Sequence, residues 1–302
     1  MYRRYATAMT RVLAERYKNH PALALWHVDN ELGCHVGEFH GEEDAAAFRS
    51  WLERRYGSIE ALNEAWGTAF WSQHYASFEE IIPPGGAAPT TLNPGQQLDF
   101  ARFNSWAFID YYRELLAVIR EVTPNIPATT NFMVSSATKA LDYFDWSKDM
   151  DVIANDHYLV AADPEREIEL AFSADLTRGG VAGGEPWILM EHSTSAVNWQ
   201  PHNQPKMPGE MLRNSLTHVA RGADASCSSS GGKARPARRS STRPWCPTAA
   251  VTRRCGGTWW ISAMRCPNWN QSRAPAWNPG LRSCSITKHG GPRSWIRTRT
   301  TR

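Results

Sequence analysis

Glu31 and Glu191 are the residues of this sequence best placed for acid–base and nucleophilic chemistry, because each follows an apolar segment. Glu31 comes soon after ALALWHV, and Glu191 ends PWILME. Two carboxyl groups can cleave a glycosidic bond when one protonates the leaving oxygen and the other attacks the anomeric carbon. The proton donor then needs a raised pKa, whereas the nucleophile must stay ionised. A Glu at a strand end also serves commonly as an ion-pair or capping residue, so position alone leaves both roles open.

The segments around these glutamates alternate between strand and helix patterns. Strands are predicted at 22–28, 126–132, 151–155 and 186–191, and helices at 2–19, 43–57, 58–66, 99–122, 139–148, 164–177 and 206–221. Ser58 is a predicted N-cap. The first helix is predicted to bury one apolar stripe, made of Tyr5, Met9, Val12, Leu13 and Tyr17, and strand 22–28 is predicted to be buried.

Alternating strands and helices indicate an α/β fold with parallel strands. Each predicted strand ends in polar residues, and the catalytic groups of a β/α barrel lie at that end of its strands. About four βα units are present, which is half of an eight-unit barrel. We therefore predict an incomplete TIM (β/α)8 barrel as one domain over residues 1–225, followed by an irregular tail at 226–302.

Five segments add a more specific signal: WHVDNELGCH at 26–35, and the segments 59–72, 94–103, 130–133 and 186–203. In this order they resemble glycoside hydrolase family 42, over essentially all of residues 1–225. The first is similar to the family's fourth-strand motif, where an Asn-Glu pair carries the acid/base. The last is similar to the seventh-strand nucleophile segment. Related barrel glycosidases share such glutamates, but the intervening segments select family 42, so the resemblance implies barrel strands four to seven.

The resemblance implies a retaining β-galactosidase that hydrolyses terminal β-D-galactosides without a cofactor. Glu31 would be the acid/base and Glu191 the nucleophile. Asn30 would bind the sugar 2-hydroxyl, Trp199 would form an apolar wall for the galactose ring, and Tyr158 would line the site beside the nucleophile. Trp199 and Tyr158 would also fit ordinary packing roles.

Two positions depart from the family pattern. After the nucleophile the family usually has Gln-x-Pro, where this sequence has His192-Ser193-Thr194. Some members also carry a zinc-binding cysteine cluster that begins at the position of Cys34. No cysteine follows it here, and His35 and His40 are scattered, so we predict no metal site.

Residues 1–225 hold all 30 acidic residues and a single cysteine, which fits a reducing compartment. Neither a membrane span nor a signal peptide is apparent. We expect a cytoplasmic protein whose partner is a β-galactoside, with neither membrane nor nucleic acid as a partner. The resemblance implies that intact members are often trimers, and that this chain would lack the family's first three strands and its downstream domains. We therefore expect a poorly stable fragment with little activity, or a non-catalytic galactoside-binding remnant.

The tail at 226–302 has 13 Arg, 2 Lys, six Trp and five Cys, but no Asp or Glu. Arg and Trp would suit a nucleic-acid-binding arm, and the composition also fits a disordered arm. A frameshift just after Ala225 explains more features of the tail than either of these two interpretations. Synonymous codons for residues 225–232 can be chosen so that the frame starting at the third base of the first codon encodes Ile-Val-Phe-Phe-Gln-Trp-Arg. That segment would be a buried strand at the position where the eighth barrel strand is expected. We predict that the tail is out of frame, disordered and without function.

Overall fold

A computed structural model describes residues 1–85, 92–135, 141–197, 199–202 and 204–228, with three two-residue strands further on. The helices are α1 Tyr2–Tyr17, α2 Glu42–Tyr56, α3 Ile59–Trp66, α4 Pro94–Val122, α5 Tyr143–Trp146, α6 Arg166–Leu176 and α7 Glu210–Ala220. The strands are β1 Trp26–His27, β2 Ala128–Thr129, β3 Asn131–Phe132, β4 Ile153–Asp156, β5 Trp187–Glu191, β6 Ala223–Cys227, β7 Thr258–Trp259, β8 Ile261–Ser262 and β9 Ile286–Thr287.

The strands up to β6 run parallel and follow one another across the sheet. β1 pairs with β2, and β3, β4, β5 and β6 pair in that order. Only Thr130 separates β2 from β3. The predicted α/β fold with an incomplete β/α barrel is confirmed. The structure adds one parallel strand to the four βα units counted from the sequence, because residues 223–227 continue the sheet beside β5.

The long helix α4 supplies the main packing face for this sheet. It begins at Pro94, five residues before the predicted start, because the Asn93 side chain accepts a hydrogen bond from the Gln96 N–H (3.2 Å) and proline fits the first helical turn. One core contains Ile109, Tyr112, Leu115 and Ile119 together with strand residues, including Ala128, Phe132, Trp187 and Leu189.

A second core joins α2, α3 and the start of α4. It contains Phe48, Leu52, Leu62, Phe100 and Phe103. The predicted cap is confirmed, since the Ser58 hydroxyl accepts the Ala61 N–H at 3.3 Å. Asp99 is buried between the helices, where it accepts the Trp66 indole N–H (2.9 Å) and pairs with Arg102 (3.0 Å). A satisfied carboxylate thus fixes the contact between α3 and α4.

Two burial predictions are wrong. The apolar stripe of α1 is exposed (Tyr5, Met9, Val12, Leu13 and Tyr17), and in this helix only Ala14 is fully buried. α1 instead contacts α4 through ion pairs, from Arg3 to Asp110 (2.7 Å) and from Arg11 to Glu121. Periodicity identifies an apolar face but not what covers it. The second wrong prediction is the buried strand at 22–28. The observed strand is only Trp26–His27, it lies at the edge of the described sheet, and most of residues 22–28 are not buried.

Among the described residues, no helix combines the length and the apolar character needed to cross a bilayer. In the tail, β8 pairs antiparallel with β6, and β7 pairs antiparallel with β9. The predictions of disorder and of a shifted frame concern residues 226–302, which lie almost wholly outside the described residues.

The buried face of α4 can be tested with two leucines of the same helix. Leu115 is 3% exposed and Leu98 is 51% exposed. Leu115→Ala should reduce the free energy of unfolding by about 2–5 kcal/mol, because it removes buried methyl groups and leaves a cavity. Leu98→Ala should change it by less than about 1 kcal/mol. Urea unfolding followed by tryptophan fluorescence measures both, and equal losses would contradict this packing.

Candidate active site

Three carboxyl groups meet where the parallel strands end. Glu31 follows β1, Asp156 is the last residue of β4, and Glu191 is the last residue of β5. One carboxyl oxygen from each lies within 4.8 Å of the other two. The structure therefore brings Glu31 and Glu191 closer together than the roughly 6.5–9.5 Å of inverting glycosidases, as a retaining mechanism requires. Asp156 carries no distinguishing signal in the sequence, because its neighbours Asn155 and His157 are also polar.

An unusual backbone presents Glu31 to this cluster. The φ angles of Asp29 and Glu31 are 59° and 44°, which is the left-handed region that non-glycine residues seldom adopt. Two hydrogen bonds hold the turn: the Glu31 N–H donates to Asn131 Oδ1 (2.8 Å), and the Tyr111 hydroxyl donates to Asp29 (2.8 Å). Such conformations persist where the surroundings fix them.

Asn131 links three of the strands that carry the site. Besides accepting the Glu31 N–H, its side-chain amide donates to Asn30 Oδ1 (3.1 Å) and to Asp156 Oδ2 (2.5 Å). Asn131 is buried. Unlike Asn30, Asn131 is not a predicted site residue, although it lies in segment 130–133, which is part of the family resemblance. This single amide thus fixes the positions of the predicted sugar-binding residue Asn30, the acid/base candidate Glu31 and the third carboxyl group.

Protonation differs among the carboxyl groups. Burial raises the pKa of Asp156 to about 9, and the charges of Glu191 and Glu31 add to this increase. Asp156 is therefore neutral at pH 7. Burial also raises the pKa of Glu31, and the charge of Glu191 contributes. A raised pKa is what a proton donor requires.

The predicted aromatic residues lie beside Glu191. The Tyr158 hydroxyl donates to Glu191 Oε2 (2.5 Å). Tyr158 also meets Trp199 edge to face, with 5.4 Å between the ring centroids. Trp199 is 60% exposed, so much of its surface is free to receive a ligand. Tyr158 thus contacts Glu191 directly, and Trp199 packs against Tyr158.

His192, one of the departures from the family pattern, ties the ends of β4 and β5 together. Its Nδ1 lies 3.0 Å from the His157 carbonyl oxygen, and the His157 N–H donates to the Glu191 carbonyl oxygen at 3.0 Å. Since a carbonyl only accepts, Nδ1 carries the proton. Burial lowers the pKa of His192 to about 3, so the ring is neutral at pH 7. A neutral imidazole therefore fixes the backbone beside Glu191 and Tyr158.

The similarity to known proteins covers most of residues 1–228. Residues 1–228 match the glycoside hydrolase 42 family model, which is described as β-galactosidase. The chain belongs to glycoside hydrolase family 42. It is 83% identical over 225 residues to a β-galactosidase of Arthrobacter sp., and 46% identical over 228 residues to β-galactosidase BbgII of Bifidobacterium bifidum. These matches cover 74% and 75% of this chain, but only 32% and 33% of those relatives.

Solved family 42 structures share the fold. The β-galactosidase from Bacillus circulans sp. alkalophilus superimposes with a TM-score of 0.69 at 38% identity, over 75% of this chain and 33% of that one. The polyextremophilic β-galactosidase from Halorubrum lacusprofundi gives 0.70 at 36% identity, over 75% and 36% of the two chains. This family 42 chain thus spans about a third of the length of the relatives it matches.

The raised pKa of Asp156 predicts a pH-dependent stability. A folded-state pKa of about 9 exceeds the unfolded value of about 3.9, so the stabilisation is complete below about pH 4 and is lost as pH rises towards 9. Asp156→Asn resembles the protonated side chain at every pH. From pH 5 to pH 9 the unmodified chain should therefore lose more than about 1.4 kcal/mol relative to this variant.

Urea unfolding at pH 5, 7 and 9 measures this difference. Asp224→Asn, at an exposed aspartate of β6, is the matched control and should follow the unmodified chain. Parallel curves for the unmodified chain and Asp156→Asn would show that Asp156 is ionised at neutral pH.

Proposed function

We propose that this chain carries the catalytic pair of a retaining β-galactosidase, with Glu31 as acid/base and Glu191 as nucleophile. The observation that supports this most directly is the convergence of their carboxyl oxygens to within 4.8 Å at the ends of parallel strands. The names of the family 42 relatives support a β-galactoside as the substrate.

The proposed reaction proceeds by two displacements. In the first, Glu191 attacks the anomeric carbon while Glu31 protonates the departing glycosidic oxygen, which leaves a covalent galactosyl ester on Glu191. In the second, Glu31 removes a proton from a water molecule that attacks the same carbon and releases galactose. The raised pKa of Glu31 supports its role as the donor in the first step.

The neighbouring residues orient the sugar and the nucleophile in this proposal. Asn30 binds the 2-hydroxyl, beside the reacting carbon, and its own position is fixed by Asn131. Tyr158 holds Oε2 of Glu191, so that the other oxygen can attack. The exposed Trp199 packs on the apolar face of the galactose ring, as aromatic side chains do at carbohydrate sites.

We further propose that residues 226–302 are read out of frame and that the protein is cytoplasmic. The family match ends at residue 228, and no acidic residue follows Ala225. The single cysteine of 1–225 supports a reducing compartment. The DNA sequence around codon 225 tests the frame: an extra or missing base is expected, and an intact reading frame whose tail binds DNA in a salt-dependent way would favour the nucleic-acid alternative.

Covalent trapping tests the proposed nucleophile. A 2-deoxy-2-fluoro-β-galactoside with a dinitrophenolate leaving group should form a stable ester on Glu191, because the fluorine slows the second step more than the activated first step. Peptide mass spectrometry locates the ester. Since detection requires only one ester per chain, the experiment works even when catalytic turnover is slow.

Variants separate the two carboxyl roles. Glu191→Gln should take up no label. Glu31→Gln should still be labelled, because dinitrophenolate leaves without a proton. The ester on Glu191 should then hydrolyse much more slowly in buffer than it does in the unmodified chain. Glu185→Gln, at an exposed glutamate just before β5, should behave as the unmodified chain. A label on another residue, or galactose binding without any label, would argue against catalysis and for a binding remnant.

The hydrogen bond from Tyr158 should contribute to the labelling rate. A hydrogen bond to a charged group is worth about 1.5–3 kcal/mol, so Tyr158→Phe should slow labelling roughly 10- to 150-fold. Tyr112→Phe is the matched control, since that buried hydroxyl has no hydrogen-bond partner among the described residues. The labelling rate of each variant measures the effect. Similar rates for the two variants would contradict a role for the Tyr158 hydroxyl in the reaction.

A further inference from the structure

A separate cavity lies beside the segment that follows Glu191. Its volume is about 120 Å³, well above the 10–15 Å³ or so that one water molecule requires. Loop residues after β4 and β5 line it together with the first residues of α6 and α7, and its polar lining includes Arg166, Ser193, Ser195, Lys206 and Glu210. A molecule of several non-hydrogen atoms therefore fits in this cavity.

Lys206 places an amine in the cavity wall without a close carboxylate. Its Nζ donates to the Ser193 hydroxyl and lies 3.4 Å from the Ser195 carbonyl oxygen. Within the described parts of the chain, no carboxylate oxygen lies within 4.0 Å of Nζ. Glu210 lies in the same wall but is engaged elsewhere, because it contacts Arg166 (3.5 Å) and accepts the Met207 N–H (2.8 Å).

This environment favours the neutral amine. Burial lowers the pKa of Lys206 to about 8; Glu210 opposes this decrease and the positive charge of Arg166 adds to it. A substantial fraction of the side chain is then unprotonated at pH 7.5. Desolvation and a neighbouring cation are the means by which proteins turn a lysine into a nucleophile.

We propose that Lys206 is a nucleophilic amine that captures short hydroxyaldehydes as a Schiff base in this cavity. Nζ attacks the aldehyde carbon to give a carbinolamine. The carbinolamine then loses its hydroxyl group and one proton from nitrogen as water, which leaves a C=N bond. The Ser193 hydroxyl, hydrogen-bonded to Nζ, is placed to pass that proton. The polar lining suits an aldehyde that carries hydroxyl groups.

Reductive trapping on the full chain tests this proposal. Glycolaldehyde is the probe, cyanoborohydride reduces the imine, and peptide mass spectrometry quantifies each lysine. Lys148 is the internal reference, because it is exposed and its hydrogen bond to Asp145 raises its pKa. At pH 7.5 Lys206 should be modified at least about tenfold faster than Lys148. The ratio of the two rates should fall from pH 7.5 to pH 10 as Lys148 also loses its proton.

Two controls connect this reactivity to the folded cavity. In urea the two lysines should react at similar rates. Glu210→Gln removes the charge that favours the protonated amine, so it should accelerate the reaction of Lys206. Glu185→Gln, at the exposed glutamate just before β5, should not. Equal rates for Lys206 and Lys148 in the folded chain, or a ratio that stays constant with pH, would overturn the proposal. Trapping at Glu191 does not depend on either outcome.

Discussion

Like-charge repulsion among three carboxyl groups is the constraint on which the rest of this site depends. Three charges with oxygens within 4.8 Å of one another, partly shielded from water, would repel strongly. A proton on Asp156 removes one of these charges at neutral pH, and a proton on Glu31 becomes easier to retain. Glu191 receives the Tyr158 hydroxyl instead. The surroundings thus give chemically similar groups different protonation and different partners, which is what a donor and a nucleophile require.

The scaffold meets this constraint through contacts between strand ends. Asn131 connects the turn after β1 to the end of β4, and His192 connects the end of β5 to the residue after β4. α4 packs its apolar face against the strands, so the sheet beneath the site is well covered. The geometry of the site therefore depends on a few buried polar side chains that bridge elements distant in sequence.

The sequence predicted the meeting of Glu31 and Glu191 because both end strands of a parallel sheet, where side chains converge at one edge. It did not single out Asp156, because Asn155, Asp156 and His157 are all polar. A register shift between Asn155 and Asp156 sets Asp156 opposite Glu191, and such irregularities leave no pattern in the sequence. The prediction that α1 buries its apolar stripe was wrong for a different reason. Its periodicity marked an apolar face, but the structure buries Ala14 instead, and Arg3 and Arg11 pair with α4.

The shared amide of Asn131 also makes the site depend on one uncharged donor group. Hydrolysis of this amide to an acid would replace the NH2 group, which donates to Asn30 and Asp156, with an oxygen that only accepts when ionised. Both amide donors would be lost, and a further negative charge would enter a space that already holds three carboxyl groups. A change of one mass unit at a residue that takes no direct part in the chemistry would then disorganise the residues that do.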